Sequence, residues 1–221
     1  MEQDHGLLHG RDGVERGQAP GTHGPLPRHH LSNPKSRGFF MKNYQEKVDV
    51  PFDGTIIDIE SIGSFNNLYS DNDSRLYKNI KPTIFGSINS KELKILCAEN
   101  EEEIKLLIKK INLELHDLTR PVYAFNTRFE SSVIYHSCGL KLPIDREINI
   151  QTKEKKKYAV QNNNVDNHND PFFDDGYKCL LAWQQGDHEN SIKHNRSCLL
   201  KERDLLLLRG SRKPDELVFL D

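Results

Sequence analysis

Three short stretches of this chain carry residue types that could do chemistry together. Asp58-Ile59-Glu60 sets two carboxylates two residues apart. In a strand, side chains alternate, so both acids point to one face while Ile57 and Ile59 point to the other. Two carboxylates held ~4 Å apart repel by roughly 4 kcal/mol at an effective dielectric of 20. Such a pair is stable when solvated or when a cation neutralises it, and a divalent metal is the natural partner. The plain alternative is the polar face of an exposed strand.

The second stretch is Asn126-Thr127-Arg128-Phe129-Glu130, where an apolar strand gives way to a helix. In a site-forming arrangement Asn126 fixes the turn, Phe129 anchors the helix in the core and Glu130 projects back toward the first strand. Thr127 and Glu130 also have the spacing of a capping box, which would spend both side chains on backbone donors. The third stretch is His194-Asn195-Arg196-Ser197-Cys198, with Glu202 beyond it. His194, Cys198 and Glu202 recur every four residues and share one helical stripe. A histidine titrating near neutrality can take a proton from water, but a partly exposed helix histidine is the simpler reading.

The elements that must position these residues follow from periodicity. Gly54–Glu60 is β-branched and strand-like, and the Asn/Asp/Ser-rich stretch 64–78 predicts a long loop. Residues 82–88, the Asn89-Ser90 turn and 92–97 predict a hairpin. Ile104, Leu107, Ile108, Ile111 and Leu115 predict an amphipathic helix over 101–118. A short strand at 121–125 and a helix at 128–137 follow. The polar stretch 153–175 predicts loop, and residues 190–208 a final helix. This order gives an α/β fold, a mixed sheet flanked by helices, over about Phe52 to Leu208, with a tail from 209 to 221.

In this order and setting the three stretches resemble the motifs of the DEDD 3′-to-5′ exonucleases, and most of all the predicted exonucleases related to the proofreading domain of family B DNA polymerases. The family pattern is Asp-x-Glu on the first strand, Asn-x-x-Phe-Asp at a strand-to-helix turn, and His-Asn-x-x-Asp on a late helix. The chain departs from it twice: Glu130 stands where the family has Asp, and Cys198 stands where it has its last metal-binding Asp. The first change keeps the charge on a longer arm. The second replaces a hard oxygen by sulfur, which suits Mg²⁺ poorly and a softer ion such as Mn²⁺ better.

The resemblance implies a ribonuclease H-like fold and two divalent cations, Mg²⁺ or Mn²⁺, held by Asp58, Glu60 and Glu130. Cys198 or Glu202 would complete the set, with Asp187 or Asp204 as further carboxylates in reach of the last helix. It implies His194 as base and Asn126, Phe129 and Asn195 against the substrate, a single-stranded DNA or RNA with a 3′ end. Tyr69, Tyr77, Phe85 or Phe172 are candidates for stacking terminal bases. A fold-retaining nucleic-acid-binding protein that has lost turnover through Cys198, and a ribonuclease H-type endonuclease, are the competing functions.

Composition bounds these readings. The net charge of −2 excludes a broad basic field, so phosphate contacts would be local, with Lys153-Glu154-Lys155-Lys156-Lys157 the one dense basic run. Cys97, Cys138, Cys179 and Cys198 show no CxxC spacing, which fits a reduced, intracellular, soluble protein. Residues 1–40 hold 7 of the 14 Gly, 5 of the 10 His and 4 of the 10 Pro, without one Ile. That composition predicts a disordered leader, and Met41-Lys42-Asn43 offers an alternative start.

Overall fold

The structure, a computed structural model, describes residues 41–151 and 154–221. The predicted leader and Lys153 of the basic run lie outside the described residues. Six strands form one mixed sheet: β1 (Lys42–Lys47), β2 (Thr55–Ile62), β3 (Lys81–Asn89), β4 (Glu92–Cys97), β5 (Val122–Ala124) and β6 (Arg146–Glu147). Their order across the sheet is β1-β4-β3-β2-β5-β6. Strands β1 to β4 pair antiparallel, whereas β5 joins β2 in parallel and β6 joins β5 in parallel. Five helices flank the sheet: α1 (Ile104–His116), α2 (Thr127–Cys138), α3 (Lys156–Asn162), α4 (Gly176–Gln184) and α5 (His188–Arg209). The predicted α/β class and mixed sheet therefore hold. Among the described residues no helix is long and apolar enough to cross a membrane.

Strand β2 lies at the centre because it can be buried on both faces. Ile56, Ile57 and Ile59 sink into the core, and Asp58 is buried with them at 4% exposure. Asp58 pairs directly with Gly86 of β3, so the two share a face. Helix α5 crosses that face. A Cβ at position 86 would lie 2.1 Å from Asn195 Oδ1 and 2.8 Å from Leu199 Cδ1. Only glycine lets the helix come close enough to bring Asn195 onto Asp58.

Three expectations need correction, and one helix was not expected. Strand β1, outside the expected domain boundary, hydrogen-bonds along β4; its alternation KNYQEK is too polar to announce a core element. The stretch 153–175, expected as loop, contains α3, anchored by buried Ala159 and Val160. Helix α4 has no counterpart in the sequence reading, since its apolar run is short. Residues after 209 do not trail away. Arg212 exchanges backbone hydrogen bonds of 2.9 Å with Glu147, and Val218 bridges to Asp73.

Candidate functional site

The cleft where the three stretches meet is built by four elements. β2 supplies Asp58 and Glu60, α2 supplies Glu130, α5 supplies His194 and Cys198, and α3 supplies Lys156. All of these line one cavity of about 470 Å³. Asp58, Glu60 and Glu130 all line this cavity, and one oxygen each of Asp58 and Glu60 lies within 4.8 Å of the other and of Cys198 Sγ. Glu130 is not spent on a capping box: the helix cap is Asn126, and the Thr127 hydroxyl donates instead to Glu147 Oε2 at 2.8 Å. Glu130, 3% exposed, is left with Oε2 buried and, among the described residues, without a hydrogen-bond partner.

A cation already stands among the acids, and it comes from the chain itself. Lys156 Nζ lies 2.8 Å from Asp58 Oδ1 and 2.5 Å from Glu202 Oε1. Asn195 Nδ2 donates to Asp58 Oδ2 at 2.7 Å. Burial works against charge on Asp58, but Lys156, Glu202 and His194 outweigh it and hold its pKa below the usual carboxylate value. Glu202 and Glu130 go the other way. Burial and the negative Asp58 push both well above the ordinary range, against the pull of Lys156. Lys156 thus favours the ionised form of Asp58, while burial disfavours charge on Glu130 and Glu202 unless a further cation arrives.

Glu60 faces different company. Its Oε1 lies 3.6 Å from His194 Nε2. Burial lifts Glu60 to about 7, with His194 pulling down and Asp58 pushing up. The other ring nitrogen of His194 donates to Asp170 Oδ1 at 2.7 Å. Asp170 is itself gripped by Lys201 Nζ at 2.7 Å and by the backbone N–H groups of Phe172 and Asp174, each at 2.9 Å. Burial opposes charge on His194, yet Cys198, Glu60 and Asp170 together hold it well above the usual histidine value. Cys198 Sγ is 3.7 Å from His194 Nε2, and burial pushes its thiol up to about 11.

Other expected residues are placed elsewhere. Glu202 meets Asp58 and Lys156 rather than Glu60. Asp187 caps α5, accepting from Asn190 N–H, and Asp204 pairs with His168 at 2.6 Å. Asn126 borders the neighbouring cavity of about 760 Å³, which shares Phe65, Lys156, Asp174 and Gly176 with the first. Phe129 stacks edge-on against buried Tyr77 at 5.9 Å. Phe85, at 1% exposure, is core and not available for stacking, and Tyr77 at 5% is nearly so. Tyr69 packs under the Arg75 guanidinium, and Phe172 lies against the His194 ring. Instead, exposed Phe65 and Tyr177 border the cleft. Of the basic run, Lys156 turns inward, while Lys155 and Lys157 line the larger cavity.

Lys156, Asp170 and Cys179 were missed in the sequence because each lies in a stretch whose polarity or spacing carried no motif. No family model, curated protein or solved structure matches the chain.

Proposed function

We propose that the chain is a metal-dependent 3′-to-5′ exonuclease acting on single-stranded nucleic acid. The observation that carries this reading is the buried convergence of Asp58, Glu130 and Glu202 with carboxylate oxygens left over. Among the described residues Glu130 Oε2 and Glu202 Oε2 lack hydrogen-bond partners, and buried oxygens of that kind call for a cation. The donor set fits hard divalent ions on this side of the cleft: Asp58, Glu130 and Glu202 would hold them, with Glu60 alongside. Bound there, Mg²⁺ or Mn²⁺ would activate water and stabilise charge on the phosphate.

The chain's own residues supply the rest. Asp170 fixes the His194 ring so that Nε2 faces Glu60 and the cleft. Cys198, Glu60 and Asp170 favour the protonated form of His194, so with no metal bound it would act first as a proton donor. Glu60, near 7, is the group poised to accept a proton at neutral pH. Asn195 orients Asp58, and exposed Phe65 and Tyr177 offer flat faces for bases at the rim.

A 3′-labelled single-stranded oligonucleotide, deoxy or ribo, should be shortened stepwise with Mg²⁺ or Mn²⁺, and Asp58→Ala should abolish this. Cleavage of a circular single strand would make the enzyme an endonuclease instead. A second reading, a nucleic-acid-binding protein without turnover, is favoured by Lys156 filling the acidic cluster and by the protonated thiol of Cys198. Calorimetry separates the two: oligonucleotide binding indifferent to divalent ions, with no shortening, would select the binding protein.

A further inference from the structure

We propose that the side of the cleft away from Lys156 is a site for a zinc-class divalent ion, with Cys179, His194 and Glu60 as ligands and Cys198 as the adjacent fourth donor. The proposal goes beyond the nuclease reading and does not require it.

The donor atoms already stand together. One ligand atom each from Glu60, Cys179 and His194 lies within 4.8 Å of the others. Cys198 Sγ and Glu60 Oε1 approach His194 Nε2 to 3.7 and 3.6 Å. Zinc bonds of roughly 2.0–2.3 Å set tetrahedral donors about 3.3–3.8 Å apart, so these two separations need little adjustment. The residues come from three elements, β2, α4 and α5, and all but Glu60 are buried.

Independent support comes from behind the histidine. Histidine ligands of metals nearly always give their second ring N–H to a carboxylate, which fixes the tautomer and aims the free nitrogen. Asp170 does this at 2.7 Å. It is not a casual neighbour, since Lys201 bridges it to Asp174 at 2.7 and 2.8 Å with both lysine and Asp170 side chains at 0% exposure. Such a buried, fully engaged network holds one side chain in one orientation, with Nε2 toward two sulfurs and a carboxylate.

The thiols have little else to do. Among the described residues Cys179 Sγ has one hydrogen-bond partner, the Ser191 carbonyl at 3.9 Å. Burial raises both thiols, Cys198 to about 11 and Cys179 further. A coordinated metal reverses this, each bound thiol releasing its proton to solvent. Sulfur and imidazole select a borderline-soft ion over Mg²⁺. Cys198 Sγ also lies within 4.8 Å of oxygens of Asp58 and Glu60, so the sulfur and nitrogen donors adjoin the carboxylates of the Lys156 side.

The test is cobalt substitution. The full chain, stripped with a chelator under reducing conditions, is titrated with Co²⁺ and then with Zn²⁺. A thiolate-to-cobalt charge-transfer absorption saturating at one equivalent, and lost on adding one equivalent of zinc, is expected. Cys179→Ser and Cys198→Ser should each weaken the band, and the double variant should lack it. Asp170→Asn should weaken zinc affinity about 10- to 100-fold. The five histidines of residues 1–40 can bind cobalt too, but cannot produce a sulfur band. No band from the parent protein, folded by circular dichroism, overturns the proposal, as does a band that survives in the double variant. The parent measurement decides even if a variant fails to fold. A sulfur band without oligonucleotide shortening would leave the zinc site standing and remove the nuclease. Shortening without a band would do the reverse.

Discussion

Asp58 and Glu60 leave the same strand on the same side, yet their carboxylates live in opposite surroundings. Asp58 meets Lys156, Asn195 and Glu202 and stays ionised below its ordinary pKa. Glu60, two residues on, meets His194, with Cys179 and Cys198 close by, and is lifted to about 7. Strand periodicity sets the direction of both side chains but neither charge state. Those are decided by residues roughly a hundred or more positions away, and chiefly by which side of the cleft receives the one lysine.

Removing that lysine should have the largest effect. Lys156→Met leaves Asp58 buried without its partner and should cost about 3–5 kcal/mol in urea unfolding, with Mn²⁺ stabilising the variant more than the parent. A cost below about 1 kcal/mol would mean that the acids do not depend on Lys156. Next in size, Gly86→Ala drives a methyl into Asn195 and Leu199. It should cost about 1–3 kcal/mol in thermal unfolding and loosen the Asn195 hydrogen bond to Asp58. An unchanged midpoint would show that α5 can move away freely.

Cys198→Asp should erase the contrast between the two sides. It gives the softer side an oxygen donor and should raise Mg²⁺ affinity about tenfold, or ~1.4 kcal/mol, by calorimetry. Unchanged affinity would separate position 198 from any hard-metal site. The smallest effect lies outside the cleft. Burial works against charge on Glu46, but hydrogen bonds from Arg196 and Tyr44 hold its pKa below 4.5. A depressed carboxylate stabilises the fold above its unfolded pKa and loses that contribution as pH falls through the folded value. Acid should therefore destabilise the parent more than Glu46→Gln below about pH 4.5, by under about 1 kcal/mol for so accessible a pair.

Much of the site was legible because its geometry is local. Asp58 and Glu60 share a face by strand period, His194, Cys198 and Glu202 share one by helical period, and the turn into α2 was marked by Asn126 and the apolar run before it. The capping-box alternative for Glu130 was equally legible and failed only because Glu147, from another strand, takes the Thr127 hydroxyl. What stayed hidden depends on long-range partners. Lys156, which is half-buried, looked like one more solvated lysine, since a lysine leaves solvent only where carboxylates await it. Asp170 sat in an Asn-rich stretch that reads as loop, and Cys179 carried no ligand spacing. Strand β1 escaped because an edge strand needs backbone pairing more than an apolar face.

The central claim is that the buried carboxylates of three elements form a divalent-metal centre. Anomalous diffraction from crystals soaked in Mn²⁺ tests it most directly. The expected map has a peak within bonding distance of Asp58, Glu130 and Glu202, with Lys156 Nζ withdrawn from its present 2.8 Å contact with Asp58. A map without density among those carboxylates, with Lys156 still seated on Asp58, would contradict it.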